Sequence, residues 1–415
     1  MIELLHKKDC CGCSACVQIC PKHCISMKED EEGFLYPVTD TDLCVDCHLC
    51  EKVCPVINQN DPKEPLNVYA AKNPDEMVRK QSSSGGIFTM LAESVIDKGG
   101  VVFGASFNEH WAVVHSYSET KEGLAAFRMS KYVQSVIGNT YKEAETFLKS
   151  GRKVLFSGTP CQIAGLKKYL RKEYENLLTV DFICHGVPSP GVFRWYMAEE
   201  FQKLARKSKK KFSFAFQSIP LIPEVDILAS EAGYHIEDIR FRDKKLGWKK
   251  FSFAFDLSEP TCDGEKNTVS LSYPLDKNPF LKGFLSDLYL RPSCYHCVFR
   301  NLSSQSEITI GDFWGINSIS KVKDDDKGIS ALLINSTKNN IFLSQHFIDI
   351  LAEASYDELC RNNAALCKSS VFETRKKIFF SSRDSLFSRI KRLSDSRFRV
   401  SNIQILKTYI KRFIK

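Results

Sequence analysis

From Cys10 to Cys24 the chain reads CCGCSACVQICPKHC, six cysteines in fifteen positions, and from Cys44 to Pro55 it nearly repeats itself as CVDCHLCEKVCP. Cys10, Cys13, Cys16 and Cys20-Pro21 satisfy C-x2-C-x2-C-x3-C-P without a gap, and so do Cys44, Cys47, Cys50 and Cys54-Pro55. Thiolates at this spacing are ligands for iron–sulfur cubanes. The two-residue gaps let one loop wrap a cubane and present three thiolates to three irons. The fourth cysteine begins a short helix that points away, which carries it to the other cubane. Cys10, Cys13, Cys16 and Cys54 are therefore expected to hold one 4Fe-4S cluster, and Cys44, Cys47, Cys50 and Cys20 a second. Zinc sites instead pair two C-x2-C units, often with His, and a disulfide framework needs an oxidising compartment. Cys11 and Cys24 fall outside the pattern, and Cys24 is expected as a buried free thiol.

This spacing is that of two-cluster bacterial ferredoxins, which residues 1–62 resemble. The intervening CISMKEDEEGFLYPVTD reads as two short strands around an acidic turn at Gly33, and the domain ends near Asn60-Asp61-Pro62. A chain of 415 residues has room for roughly two or three domains. No run reaches the ~18 apolar residues of a membrane span. The start, MIELLHKKDC, lacks the basic and apolar segments of a secretory signal. The 17 cysteines are thus expected to bind metal in a cytoplasmic protein rather than form disulfides, and their odd number leaves at least one sulfur unpaired. The net charge of +8 is uneven: from Arg375 to Lys415 thirteen Lys/Arg face Asp384 and Asp395, giving +11, so residues 1–374 carry 8 − 11 = −3.

Clusters of this kind move single electrons and do no chemistry on a substrate, so the longer remainder must supply it. Val68–Ala71 reads as a strand, Gly86–Lys98 as a helix closed by Gly99-Gly100, and Val101–Phe107 as the returning strand. Ser82-Ser83-Ser84-Gly85-Gly86 precedes that helix. Small residues before free helix N–H groups suit a phosphate, and a plain Ser N-cap explains them equally well. In KVLFSGTPCQIAGLKKYLRKEYENLLTVDFICHG, strands at Lys153–Phe156 and Leu177–Ile183 flank a helix from about Gln162 to Tyr169, a β-α-β unit with parallel strands. Cys161 and Cys184 follow those strand ends, at the edge where open α/β sheets place ligands. Cys294 and Cys297 add a C-x2-C. The four thiols suffice for a third 4Fe-4S cluster or an all-cysteine zinc site, with four structural cysteines as the plainer reading. Cys262, Cys360 and Cys367 have no such context.

SSSGGIF, SKYVQS (Ser130–Ser135), SGTPCQIAGL (Ser157–Leu166), CHGVPSP (Cys184–Pro190) and EITIGDFWG (Glu307–Gly315) follow one another behind the dicluster domain. In this order they resemble the coenzyme F-420 hydrogenase/dehydrogenase β-subunit family over roughly residues 1–320. The resemblance implies FAD beside iron–sulfur centres, and electron transfer between one-electron carriers and a two-electron acceptor, F-420 or another substrate. Similar ferredoxin-fused proteins occur in bacterial polysaccharide-synthesis gene clusters. On this reading Ser82, Ser83, Ser84, Gly85 and Gly86 receive flavin phosphate. Gly158, Thr159 and Pro160 let the backbone approach the flavin, and Lys131 and Tyr132 stand at the isoalloxazine or substrate as catalytic residues. For Lys131 a solvated surface charge is the alternative.

The expected fold is α+β: an N-terminal dicluster ferredoxin-like domain, an α/β flavin-binding domain with a mixed sheet, and a basic helical tail. The expected segments are 1–62, 66–145, 146–320, a helical extension at 321–374 and a basic amphipathic tail at 375–415. KLARKSKKKFSFAF reads as a solvated basic helix end followed by a strand, and IEDIRFRDKKLGWKKFSFAFDL as a hairpin. No nucleic-acid motif accompanies the basic run. The tail's apolar residues recur at helical spacing, which suits packing on the body, with peripheral contact to an anionic membrane as the alternative. The implied partners are a redox protein or ferredoxin and a small two-electron acceptor. A non-enzymatic electron-transfer subunit serving a catalytic partner is the competing function, and flavin content separates the two.

Overall fold

The computed structural model describes residues 2–4, 6–260, 266–338, 348–370, 373–382 and 384–394. In the N-terminal domain each cysteine loop passes through a left-handed residue into a short helix. Ser14 (φ 60°) precedes α1 (Ala15–Ile19), and His48 (φ 58°) precedes α2 (Leu49–Lys52). Between them β1 (Ile25–Glu29) and β2 (Leu35–Thr39) pair antiparallel around the turn at Gly33, as the pattern predicts.

The body is built on an eight-stranded mixed sheet. Its first half contains β3 (Asn67–Lys72), α3 (Glu76–Lys80), α4 (Ile87–Ile96), β4 (Val101–Phe107), β5 (Val113–Ser118) and α5 (Thr140–Lys149). Then come β6 (Val154–Gly158), α6 (Pro160–Leu170) and β7 (Leu177–Phe182), the expected β-α-β unit. A long insertion follows: α7 (Pro190–Lys207), α8 (Val225–Glu231), β8 (His235–Asp243), β9 (Ser252–Pro260), β10 (Lys266–Pro274) and α9 (Pro279–Leu285). The chain returns to the sheet with β11 (Ile308–Asp312), β12 (Ser330–Ile334) and β13 (Asp349–Glu353), and ends in α10 (Tyr356–Asn362), α11 (Glu373–Ser381) and α12 (Leu386–Ser394).

The strand order is β13-β3-β12-β11-β7-β6-β4-β5. The run β11-β7-β6-β4 is parallel, and the outer pairs are antiparallel. Central strands of such a sheet are covered on both faces, which is why Val154-Leu155-Phe156 is apolar without alternation. Phe103 and Phe156 face α5 and α6 with Tyr141, Ile163 and Leu166. Val102, Leu155 and Leu178 pack with Leu91 and Val95 of α4 on the other face. The insertion has its own core, where Trp195, Tyr196 and Phe201 of α7 meet Phe253 and Phe255 of the β8-β9-β10 sheet.

Three sequence expectations change here. Residues 321–374 are not a helical extension: they supply β12, which pairs with both β11 and β3, and β13 at the sheet edge. Residues 212–216 form no strand, because Phe216 leaves the alternation to stack on Trp195 at 3.9 Å. The boundary at 374/375 falls inside α11. The described part of the tail packs on the body. Phe379, Leu386, Ile390 and Leu393 are buried in the insertion's core, and the Arg389 guanidinium lies 4.5 Å over Trp195 while donating to the carbonyls of Asp384 and Phe379. An apolar face so covered is not offered to a membrane. Residues 395–415 of the expected tail, and Cys262, lie outside the described residues.

Candidate metal centres and cofactor cavity

The two cysteine loops enclose separate small cavities. Cys10, Cys13, Cys16 and Cys54 line one, and Cys44, Cys47, Cys50 and Cys20 line the other. Each fourth cysteine thus sits in the opposite loop's cavity, because α1 carries Cys16 near its start and delivers Cys20 past its end. Both quartets are the soft, four-thiol sets that 4Fe-4S clusters take. Arg291, buried without exposure, ties the first loop to the body: its Nε donates to the Cys10 carbonyl at 2.8 Å, and its Nη2 lies 3.6 Å from Cys10 Sγ. An N–H aimed at sulfur suits a thiolate ligand and raises a cluster's potential. The domain docks closely on α6. A Cβ on Gly165 would stand 2.8 Å from that of Cys13. Cys24 is buried with its sulfur 3.4 Å from Cys20 Sγ.

A third cavity, of about 250 Å³, is lined by Cys161, Cys184, Cys294 and Cys297. The parallel strands β6 and β7 end side by side at Gly158 and Phe182. This brings Cys161, in the first turn of α6, next to Cys184. The C-x2-C arrives from the turn after α9, where the Val187 N–H points at Cys294 Sγ at 3.4 Å. The Thr159 hydroxyl lies 3.0 Å from Cys161 Sγ. Arg300 binds the carbonyls of Cys184, His185 and Ala365, fixing the Cys184 loop. Four thiols with polar N–H and O–H neighbours thus line one cavity. Cys11, which no spacing rule singles out, lines the same cavity and also the first cluster cavity. With Asp9 and Val56 it forms the wall between the two.

On the far side of Cys184 lies a larger cavity, about 640 Å³, within the ~300–1,000 Å³ typical of cofactor pockets. Phe182–Cys184 and Ala365 line both it and the third cysteine cavity. The serine loop opens onto it. None of the serines caps α4: Ser82 Oγ donates to the Val78 carbonyl, Ser84 Oγ to that of Ile329, and Ser83 Oγ accepts from the Ser130 N–H. The N-cap is Gly86 (φ 84°) without a side-chain cap, so the plain Ser N-cap is not what forms. A first turn left uncapped beside a cavity fits an anionic group. Lys244 braces the loop by donating to the Arg79, Ser84 and Lys327 carbonyls, and burial pulls its amine down to about 7.

Lys131 and Tyr132 both face this cavity. Burial pulls the Lys131 amine down to about 8, and its Nζ donates to the Arg128 carbonyl at 3.1 Å. It is not a solvated surface charge. The Tyr132 ring packs on Phe284 at 4.8 Å, and burial pushes its hydroxyl up. Gly158 and Thr159 line the cavity too, but Pro160 does not. As the first residue of α6 it faces the cysteine cavity instead. The sequence reading missed His115, Arg242 and Asp312. His115 is buried against the Ser157 carbonyl, and desolvation pulls it to about 4, so it stays neutral. Arg242 is held by Asp312 at 2.7 Å with its guanidinium 4.6 Å over Phe251, while its Nε and Nη2 make no hydrogen bond. One of two alternating arginines in a strand, Arg240 and Arg242, carries no sequence signal for such a role.

Fold and sites together define an iron–sulfur protein in which a dicluster domain docks on an α/β body with an enclosed cavity. Residues 9–58 match the 4Fe-4S dicluster domain, and residues 151–355 the C terminus of the coenzyme F420 hydrogenase/dehydrogenase beta subunit. The chain belongs to that F420 hydrogenase/dehydrogenase beta-subunit family. It is 26% identical over 177 residues to a subunit of the F(420)H(2) dehydrogenase of Methanosarcina mazei, an alignment covering 39% of this chain and 48% of the relative. The chain thus spans about half the length of that relative. It is 38% identical over 65 residues to a 7Fe ferredoxin of Hydrogenibacillus schlegelii, covering 15% of this chain and 77% of the ferredoxin. A chain from the F420-reducing [NiFe] hydrogenase complex of Methanosarcina barkeri aligns with 80% of this chain and 92% of its own at 17% identity and a TM-score of 0.41. Among the described residues no helix is long and apolar enough to cross a membrane.

Proposed function

We propose that this oxidoreductase-type chain passes electrons between its dicluster domain and a flavin, FAD, held in the large cavity, and from there to a two-electron acceptor such as coenzyme F420. The observation that carries the reading is the row of shared walls. Cys16, Cys20 and Cys50 pack together between the two ferredoxin-type sites. Cys11 separates the first of these from the Cys161/Cys184/Cys294/Cys297 site, and Cys184 separates that site from the large cavity. Every redox site thus adjoins the next.

A flavin supplies the conversion between one-electron and two-electron transfer. This chain's residues supply the rest. The Gly86 end of α4 and the serine loop receive the anionic phosphates. Lys131, held partly uncharged in the free protein, gains a proton when an anionic ring or substrate stands beside it. The neutral His115 leaves that charge unopposed. Cys10, Cys13, Cys16 and Cys54 hold one 4Fe-4S cluster, Cys44, Cys47, Cys50 and Cys20 another, and Cys161, Cys184, Cys294 and Cys297 a third.

Anaerobic purification with iron, zinc and flavin analysis tests this. About twelve irons and one flavin per chain are expected, and Cys294→Ser with Cys297→Ser should remove about four irons while leaving about eight. Eight irons plus one zinc would replace the third cluster by a zinc site. Absence of flavin from the intact protein would leave the electron-transfer subunit as the function.

A further inference from the structure

Cys360 and Cys367 belong to none of the three cysteine sites, yet their sulfurs lie 2.7 Å apart. Cys360 sits in the last turn of α10. Cys367 follows the single 3-10 turn Ala364–Leu366, so the chain doubles back to bring the two together. Both are partly exposed, and hence reachable from solvent. The residues between them close two cavities at once. Asn362, Asn363 and Ala364 line the large cavity, Leu366 lines the third cysteine cavity, and Ala365 lines both. Arg300 joins the Ala365 carbonyl to those of Cys184 and His185, and the Asn301 N–H donates to the Leu366 carbonyl at 2.9 Å.

We propose that Cys360 and Cys367 form a reversible thiol–disulfide pair, oxidised by low-molecular-weight disulfides such as glutathione disulfide, whose closure fixes the segment covering both cavities. The chemistry is thiol–disulfide exchange. One cysteine thiolate attacks glutathione disulfide, forming a mixed disulfide and releasing one glutathione. The second cysteine then attacks the protein sulfur and expels the other glutathione. Two electrons pass from the protein to the oxidant, and the two protons leave on the two glutathione thiols. Burial and the neighbouring sulfur push the Cys360 thiol up to about 12. The sulfurs need approach by only about 0.7 Å to reach the ~2.05 Å of the bond. The pairing does not depend on what the two cavities hold.

The test uses the whole protein, equilibrated anaerobically in glutathione buffers of graded oxidation, acid-quenched, alkylated and cut with trypsin. Arg361 lies between the two cysteines, so their tryptic fragments part unless a disulfide joins them. The expected result is that joined fragments replace the two alkylated ones along a single two-electron curve. Separate fragments, alkylated or each carrying glutathione, at the oxidising end would overturn the pair. Hydrogen exchange at Asn363–Leu366 should slow at least about tenfold on oxidation in the natural protein and stay unchanged in Cys360→Ser. Equal exchange in the oxidised and reduced natural protein would overturn the coupling to the cavities.

Discussion

Replacing Lys131 with Met should stabilise the ligand-free body at neutral pH and destabilise it in mild alkali. Burial holds the Lys131 amine at about 8 against its ordinary 10.5. The unfolded chain therefore binds that proton more readily than the folded one between those two values. The cost to folding is full below about 8, declines as pH rises, and is gone above 10.5. A shift of 10.5 − 8, at ~1.4 kcal/mol per unit, is about 3 kcal/mol at pH 7 and falls to about 1.5 kcal/mol by pH 9.5. The variant escapes this cost but loses the hydrogen bonds to the Arg128 and Met129 carbonyls, worth ~1 kcal/mol each. It should come out about 1 kcal/mol more stable at pH 7 and roughly 0.5 kcal/mol less stable at pH 9.5. Urea unfolding followed by the fluorescence of the buried Trp195 and Trp248 measures the difference. A stability difference that does not move between the two pH values would show that Lys131 is not desolvated, and the charge-stabilising role would fall with it.

Arg79 is 1% exposed and grips both Asp325 oxygens at 2.7 Å; Asp325 is itself solvent-exposed, so Arg79→Met should cost about 1–3 kcal/mol for the lost charged hydrogen bonds, read as a lowered thermal midpoint. Gly85→Val should push the serine loop off β3 and β12, because even a Cβ there would stand 2.7 Å from the Ala71 carbonyl and the Ser330 nitrogen, and should weaken flavin binding with it; flavin retained at ordinary affinity places the phosphate elsewhere. Cys20→Ser and Cys54→Ser should each remove about four irons, and Cys54→Ser should spare the cluster of its own loop. If the signal lost on changing Cys54 is the one lost on changing Cys44, the crossed ligation is wrong.

Local patterns are legible in the sequence and long-range ones are not. The cysteine loops declare themselves because Cys10, Cys13 and Cys16, and likewise Cys44, Cys47 and Cys50, sit close together in the chain, and the parallel β6-α6-β7 unit because its crossover is short. β12 escapes because SALLI is a buried run that lies between β11 and β3, and β3 is more than 250 positions away in sequence. FSFAF alternates like a strand, but no neighbouring strand takes it, and stacking on Trp195 decides its path. Cys11 gains its place only when the ferredoxin domain docks on α6. Cys360 and Cys367 meet only because the helix stops at Asn362.

β3 is the first strand the body makes, and it lies between two of the last. Its neighbours are β12 and β13, whose residues pair with Ala70 and Ala71 from more than 250 positions further along the chain. During synthesis at ~5–20 residues per second, β3 waits roughly 10–50 s with both edges unpaired. The ferredoxin-type domain, finished before it, is under no such delay. Ribosome-bound chains ending near residue 320 should therefore carry a metal-competent N-terminus ahead of an open, aggregation-prone sheet. Native pairing of β3 starts only once β12 has left the ribosome, and a nascent chain waiting in this state is a natural client for a chaperone.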